Sequence, residues 1–169
     1  MLDDEKYMRL ALQEAAKAYA LGEIPIGAVL ADSVDGSIIA VGHNLREQTN
    51  DATAHAEMEA IRQGCKALGR WRLTGCTLYV TIEPCAMCAG ALVNSRIDRL
   101  VYGSSESKFG AVESIFNVVN HHLLNHRMEV TAGILEDECR QIMKDFFKMR
   151  REQNKQKKLL GTAAANMNK

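Results

Sequence analysis

The chain has 169 residues, 47% of them hydrophobic and 25% charged, which is the make-up of a globular protein long enough to bury a real core. It contains no apolar run approaching the roughly 18 residues that a membrane-spanning helix needs, so it is read as a protein with no membrane partner. Net charge at pH 7 is zero, yet Lys144–Lys158 packs seven Lys or Arg against Asp145 and Glu152, a run that reads either as a solvated helix face or as a surface for phosphates.

The start, Met1-Leu2-Asp3-Asp4-Glu5, is acidic where a secretory leader is basic and then apolar, and this predicts a cytoplasmic protein. Tyr7, Leu10, Ala11, Ala15 and Ala18 recur at helical spacing, so Asp3–Leu21 is a predicted amphipathic helix, ended by Gly22 and blocked from resuming by Pro25. Ile26–Ala31 and Ser37–Val41 read as two strands of a hairpin around the turn residues Ser33–Gly36. A polar loop, Gly42–Ala54, leads into a helix over His55–Leu68 with Thr53 as its cap. Thr77–Ile82 is a third strand, and Pro84 suits the first turn of a helix through Val93. Arg99–Tyr102 and Met128–Thr131 are further strands, separated by the polar Ser104–Gly110 loop and a short helix or turn at Ile115–Val119. Ile134–Arg151 is a long terminal helix, and 159–169 reads as a frayed tail, leaving one domain over 1–158. Alternation of strand and helix through the middle predicts a mixed sheet with helices on both faces, its 77–102 crossover parallel and right-handed.

Against this frame stand His55-Ala56-Glu57 and Pro84-Cys85-Ala86-Met87-Cys88. One imidazole and two thiols supply three ligands for zinc, and three ligands leave a coordination position open, as in catalytic sites. The five cysteines, an odd number with no leader, argue for reduced thiols rather than a disulfide framework. Cys85 and Cys88 share a helix face in a first turn, where the helix dipole favours thiolates. His55 and Glu57 lie two residues apart, roughly 200° around a helix, so they reach one centre only if it sits off the helix end. The H-x-E and P-C-x-x-C pattern is the signature of zinc-dependent nucleobase deaminases. In such a site zinc activates a water toward an amino-bearing ring carbon, Glu57 moves the protons, and the backbone N–H groups of Ala56 and Cys85 lie near the ring or the developing oxyanion. A redox pair would explain neither His55 nor Glu57, and a zinc ribbon lacks its second C-x-x-C, although Cys65 or Cys76 could close the site as a fourth ligand.

Beyond the motif the chain resembles the bacterial tRNA-specific adenosine deaminases of the cytidine deaminase superfamily. The resemblance is carried by Pro25–Leu30, Asn44, Asp51–Glu57, Glu83–Ala91, Ser95-Arg96-Ile97, Asn125-His126-Arg127, Gly133-Ile134-Leu135 with Asp137-Glu138-Cys139, Phe146-Phe147 and Arg150-Arg151. It implies a three-layer α/β/α cytidine-deaminase-like fold with a five-stranded mixed sheet, and a homodimer with one zinc per subunit on His55, Cys85 and Cys88. It implies deamination of adenosine to inosine at the wobble position of an arginine tRNA, with Glu57 as proton shuttle, Asn44 bonded to the nucleoside and Ile26 lining the base pocket. It places Asn125, His126 and Arg127 at the RNA loop, and Phe146, Arg150 and Arg151 at the flanking nucleotides. Glu106, followed by Lys108, departs from the Asp or Asn that many members carry in a loop near the substrate strand. An anticodon loop suits the chemistry, because a base paired in a duplex cannot reach a buried metal.

Two other classes compete. One is a deaminase of a small molecule such as cytidine, deoxycytidylate or guanine, against which stand the basic terminal helix and the later motif blocks. The other is an RNA-binding protein with a structural zinc, for which a carboxylate at Glu57 would have no use.

Overall fold

The computed structural model describes residues 2–167. In chain order the elements are α1 (Asp4–Ala20), β1 (Gly27–Asp32), β2 (Ile38–His43), α2 (Arg46–Thr49), α3 (Ala56–Leu68), β3 (Cys76–Ile82), α4 (Ala86–Asn94), β4 (Arg99–Ser104), β5 (Glu129–Ala132) and α5 (Glu136–Met167). The five strands form one sheet in the order β2-β1-β3-β4-β5. β1 runs antiparallel to β2 and β3, whereas β3, β4 and β5 are parallel, so the sheet is mixed and the 77–102 crossover is parallel as the sequence predicts.

Strand alternation divides the core into two layers. Ala28, Leu30, Leu78, Val80, Leu100 and Tyr102 face the layer that holds Ala56, Ala60 and Ile61 of α3 and Ala89, Leu92 and Val93 of α4. Val29, Ala31, Tyr79 and Val101 face the opposite layer, with Tyr7, Met8 and Ala11 of α1 and Cys139 of α5. The helix α1 starts where Asp3 accepts the Lys6 N–H at 3.2 Å, and its buried residues follow the predicted stripe. Asp4 ties α1 to the sheet by accepting two hydrogen bonds from Arg99, at 2.7 and 2.8 Å, and one from the Tyr79 hydroxyl at 3.0 Å. Gly42 lets α3 lie directly on β2, since a Cβ there would run into the Ala56 carbonyl and the Ala60 N–H.

Three local readings change. The 42–54 loop contains the short helix α2, ended by Asn50 in the left-handed region (φ 51°). Residues 115–119, read as a short helix or turn, are mostly irregular, with a bend at Ile115 and a turn beginning at Val119. Helix α5 continues through Met167, into the stretch read as a tail. Among the described residues no helix is long and apolar enough to cross a membrane.

Candidate active site

Two helix N-termini meet beside the end of β3. His55 is the N-cap of α3 (φ −81°, ψ 155°) and Cys85 the N-cap of α4 (φ −74°, ψ 173°). Both are extended, not helical, which corrects two expectations. Thr53 is not the α3 cap; its hydroxyl is bound to Asp51 Oδ1 at 2.7 Å. Pro84 lies just outside α4, because the helix begins only at Ala86. Neither cap residue uses its side chain to close the helix end, so both are free to face a common centre.

His55 Nδ1 lies 3.7 Å from Cys85 Sγ and 3.5 Å from Cys88 Sγ, and the three donor atoms fall within 4.8 Å of one another. Tetrahedral zinc with ordinary Zn–S and Zn–N bonds has N···S edges of about 3.6 Å, so the three side chains fit the ion. Neither Cys65 nor Cys76 belongs to the cluster: Cys65 donates weakly to the Trp71 carbonyl at 3.6 Å, and Cys76 is buried at the start of β3. Among the described residues the donor set is therefore three, which leaves the closed four-ligand alternative without its fourth ligand. A hydrogen bond from Cys88 holds the Cys85 thiol down to about 4, and the same contact, with burial, pushes Cys88 far up. The hydrogen bond to Cys85 also raises His55. A dication binding here would displace the thiol protons.

Glu57 stands one residue inside α3, 3% exposed, and its Oε2 has no hydrogen-bond partner. Burial pushes its carboxyl up to about 7. Ala56, the first helical residue, is fully buried, and its N–H is one of those a helix start leaves without an intrahelical partner. His55, Glu57 and Cys85 line a cavity of about 510 Å³ whose apolar walls include Ile26, Ile82, Phe109, Met143 and Phe147, with Arg46, Glu106 and Lys108 among its polar groups.

Asn44 is buried; its side-chain N–H₂ donates to the Ile24 carbonyl at 3.3 Å and its Oδ1 is unpartnered. It lines an adjoining cavity of about 330 Å³ with Glu23, Arg46, Phe147, Arg150 and Arg151. A third cavity is shared by Glu106, Lys108, Lys144, Phe147 and Arg151. Phe147 is common to all three and 42% exposed, whereas Phe146 is 2% exposed, packs edge-on against Tyr19 and lines only the cavity beside Asn44. The predicted 125–127 segment is not brought to these cavities. Asn125 accepts from Arg96 at 2.8 Å and His126 bonds the Ile97 carbonyl at 2.7 Å, so both brace the turn before β4, while Arg127 is exposed.

Sequence reasoning passes over Glu83, Arg46, Phe109, Met143 and Phe147. The four-residue spacing of Met143, Phe147 and Arg151, which puts them on one face of α5, was the available signal. Glu83 accepts the backbone N–H groups of Glu106, Val112, Glu113 and Ser114 at 2.8–3.1 Å, and also the Ser114 hydroxyl. Burial alone would raise its carboxyl, but these donors hold it down to about 2.

Comparison with known proteins agrees with this geometry. The family model of the MafB19-like deaminases matches residues 2–151. The chain is 52% identical to the tRNA-specific adenosine deaminase of Haemophilus influenzae, over 93% of this chain and 90% of that one. It is 50% identical to the tRNA-specific adenosine deaminase of Bacillus subtilis, over 92% and 95%. A solved structure from work on A-to-I editing by tRNA:A34 deaminases at the wobble position of transfer RNA superposes with a TM-score of 0.77 at 47% identity, covering 81% of this chain and 98% of that one. Guanine deaminase of Bacillus subtilis superposes with a TM-score of 0.59 at 31% identity, over 89% and 95%.

Proposed function

From its membership of the tRNA-specific adenosine deaminase family, we propose that this chain hydrolyses the wobble adenosine of an arginine tRNA to inosine, releasing ammonia, at the site built by His55, Cys85, Cys88 and Glu57. The observation that carries the chemistry is the cluster of three donors, two of which line the same cavity as Glu57, whose buried Oε2 has no partner.

His55, Cys85 and Cys88 would hold zinc. When bound, the ion supplies acidity, lowering the pKa of a water in its shell toward about 7. Glu57 accepts that water's proton and delivers it to the ring nitrogen beside the amino-bearing carbon. The water oxygen bonds to this carbon, Glu57 carries the second proton to the amino group, and the C–N bond breaks to release ammonia. Glu57 Oε2 has no hydrogen-bond partner, which leaves it available to hold and release these protons. Asn44 Oδ1, buried and unpartnered, would accept a hydrogen bond from the nucleoside. Ile26 and the other apolar walls keep bulk water from the ring.

A paired base cannot enter such a cavity, so the substrate is the splayed anticodon loop of the stem-loop. Lys108, Lys144, Arg150 and Arg151 line the two neighbouring cavities, where phosphates of the strand would lie. The proposal includes a homodimer in the cytoplasm.

The test is to incubate the zinc-loaded protein with the arginine anticodon stem-loop in heavy-oxygen water. Inosine carrying the heavy oxygen on its purine carbonyl is expected. Unchanged adenosine, or inosine without the label, would contradict hydrolysis at this site.

A further inference from the structure

The segment 106–114 supplies one lip of the catalytic cavity through Glu106, Lys108 and Phe109. Phe109 is 68% exposed, and no regular helix or strand holds the segment in place. What holds it is Glu83, at the end of β3 and two residues before Cys85. Its Oε2 accepts the Glu106 N–H at 3.0 Å, at the near end of the segment. Its Oε1 accepts the successive N–H groups of Val112, Glu113 and Ser114, at 3.1, 2.8 and 2.9 Å, at the far end. One carboxylate therefore closes both ends, as an anion seated in a nest of backbone amides.

Three further contacts make the closure specific. The Ala111 N–H donates to the Pro84 carbonyl at 2.8 Å, and Gly110 bridges Cys85 in antiparallel fashion. Gly110 has no side chain, and a Cβ there would collide with the Glu83 carboxylate and the Glu106 carbonyl. The Tyr102 hydroxyl donates to Glu113 Oε2 at 2.5 Å, fixing the segment to β4.

We infer that Glu83 is a positioning residue that staples the 106–114 lip over the catalytic cavity and thereby sets affinity for the RNA strand, an inference that rests on the RNA reading of the cavity. Glu83 acts through the lip and takes no part in proton transfer. A neutral amide in its place would turn an N–H₂ group or a weaker acceptor toward four converging amide donors.

The test compares wild type with Glu83→Gln, Glu83→Asp and Ser114→Ala, by zinc content, steady-state kinetics on the anticodon stem-loop, and amide hydrogen exchange over 105–114. Glu83→Gln is expected to keep its zinc, raise KM about tenfold with kcat within about threefold, and speed exchange at 112–114. Glu83→Asp recovers part of the KM, and Ser114→Ala, which removes one donor only, raises KM about threefold. Should Glu83→Gln fail to fold, Ser114→Ala carries the test. Unchanged KM in the folded variants overturns the inference, as does a loss of kcat that tracks loss of zinc. The exchange measurement needs no turnover, so protected amides in Glu83→Gln also overturn it. A wild type that leaves the RNA unmodified would instead refute the functional reading.

Discussion

Glu57→Gln keeps the volume of the side chain and removes its ability to carry a proton, and two effects of opposite sign follow. Activity falls, since a positioned general acid–base contributes roughly 10²- to 10⁴-fold, or about 3–5 kcal/mol in the barrier. Stability of the metal-free protein rises. The carboxyl is 3% exposed with one oxygen unpartnered, and burial moves its pKa from 4.5 to about 7. The folded value lies above the unfolded one, so the unfolded chain loses this proton first as pH rises. Folding stability therefore declines between about pH 4.5 and 7 and then levels off. At 1.36 kcal/mol per unit, the shift corresponds to about 3 kcal/mol that the amide does not lose. The assay is urea unfolding of chelator-treated wild type and Glu57→Gln across that pH range, beside inosine formation by the zinc-loaded proteins. Near-normal activity in the variant, or a variant less stable than wild type at pH 8, would refute the reasoning.

Cys88→Ser should lose stoichiometric zinc and all inosine formation by metal analysis and turnover, and a chelator should do the same to wild type reversibly. Phe146→Ala, emptying a site 2% exposed, should destabilise by about 3–5 kcal/mol in urea unfolding. Phe147→Ala should barely move stability yet raise KM for the stem-loop about tenfold through a lost stacking surface. Asp4→Ala should cost about 2 kcal/mol by removing the hydrogen bonds from Arg99 and Tyr79, although Arg99 keeps Glu129 and Thr131, with kcat unchanged. The hydrogen bonds from Arg99 lower the Asp4 pKa, so its contribution is full above about pH 4 and fades as pH falls through the folded value. The gap between Asp4→Ala and wild type should therefore close in acid.

That His55, Cys85 and Cys88 cluster was legible in the sequence because the proposed roles of these three and of Glu57 each demand a particular side chain at a fixed spacing. His55 occupies the N-cap of α3 and lines the same cavity as Glu57, since two residues along a helix point apart and only the cap position escapes that rule. The strands were legible because apolar β-rich runs sit between turn residues, and only their ends shifted by a residue or two. Caps were read less well. Thr53 is the better capping side chain, but the chain turns into α3 two residues later, where a poor capping residue with a metal-binding ring occupies the N-cap. Phe146 and Phe147 are adjacent and chemically alike; the four-residue spacing with Met143 and Arg151 marks Phe147, which reaches all three cavities, whereas Phe146 packs against Tyr19 and lines only the cavity beside Asn44. Glu83 stood in the Glu83–Ala91 block, but its role was not legible, because its partners lie more than twenty residues away.

The central claim is that this zinc chemistry serves a wobble adenosine rather than a free base. Zinc-loaded protein should be given, side by side, an arginine tRNA with adenosine at the wobble position, free adenosine, free cytidine and free guanine. Sequencing after reverse transcription reads inosine in the tRNA, and ammonia release reads the rest. Inosine at the wobble base, with little ammonia from any free compound, is the result expected. Rapid ammonia from guanine or a nucleoside, with the tRNA unmodified, would contradict it.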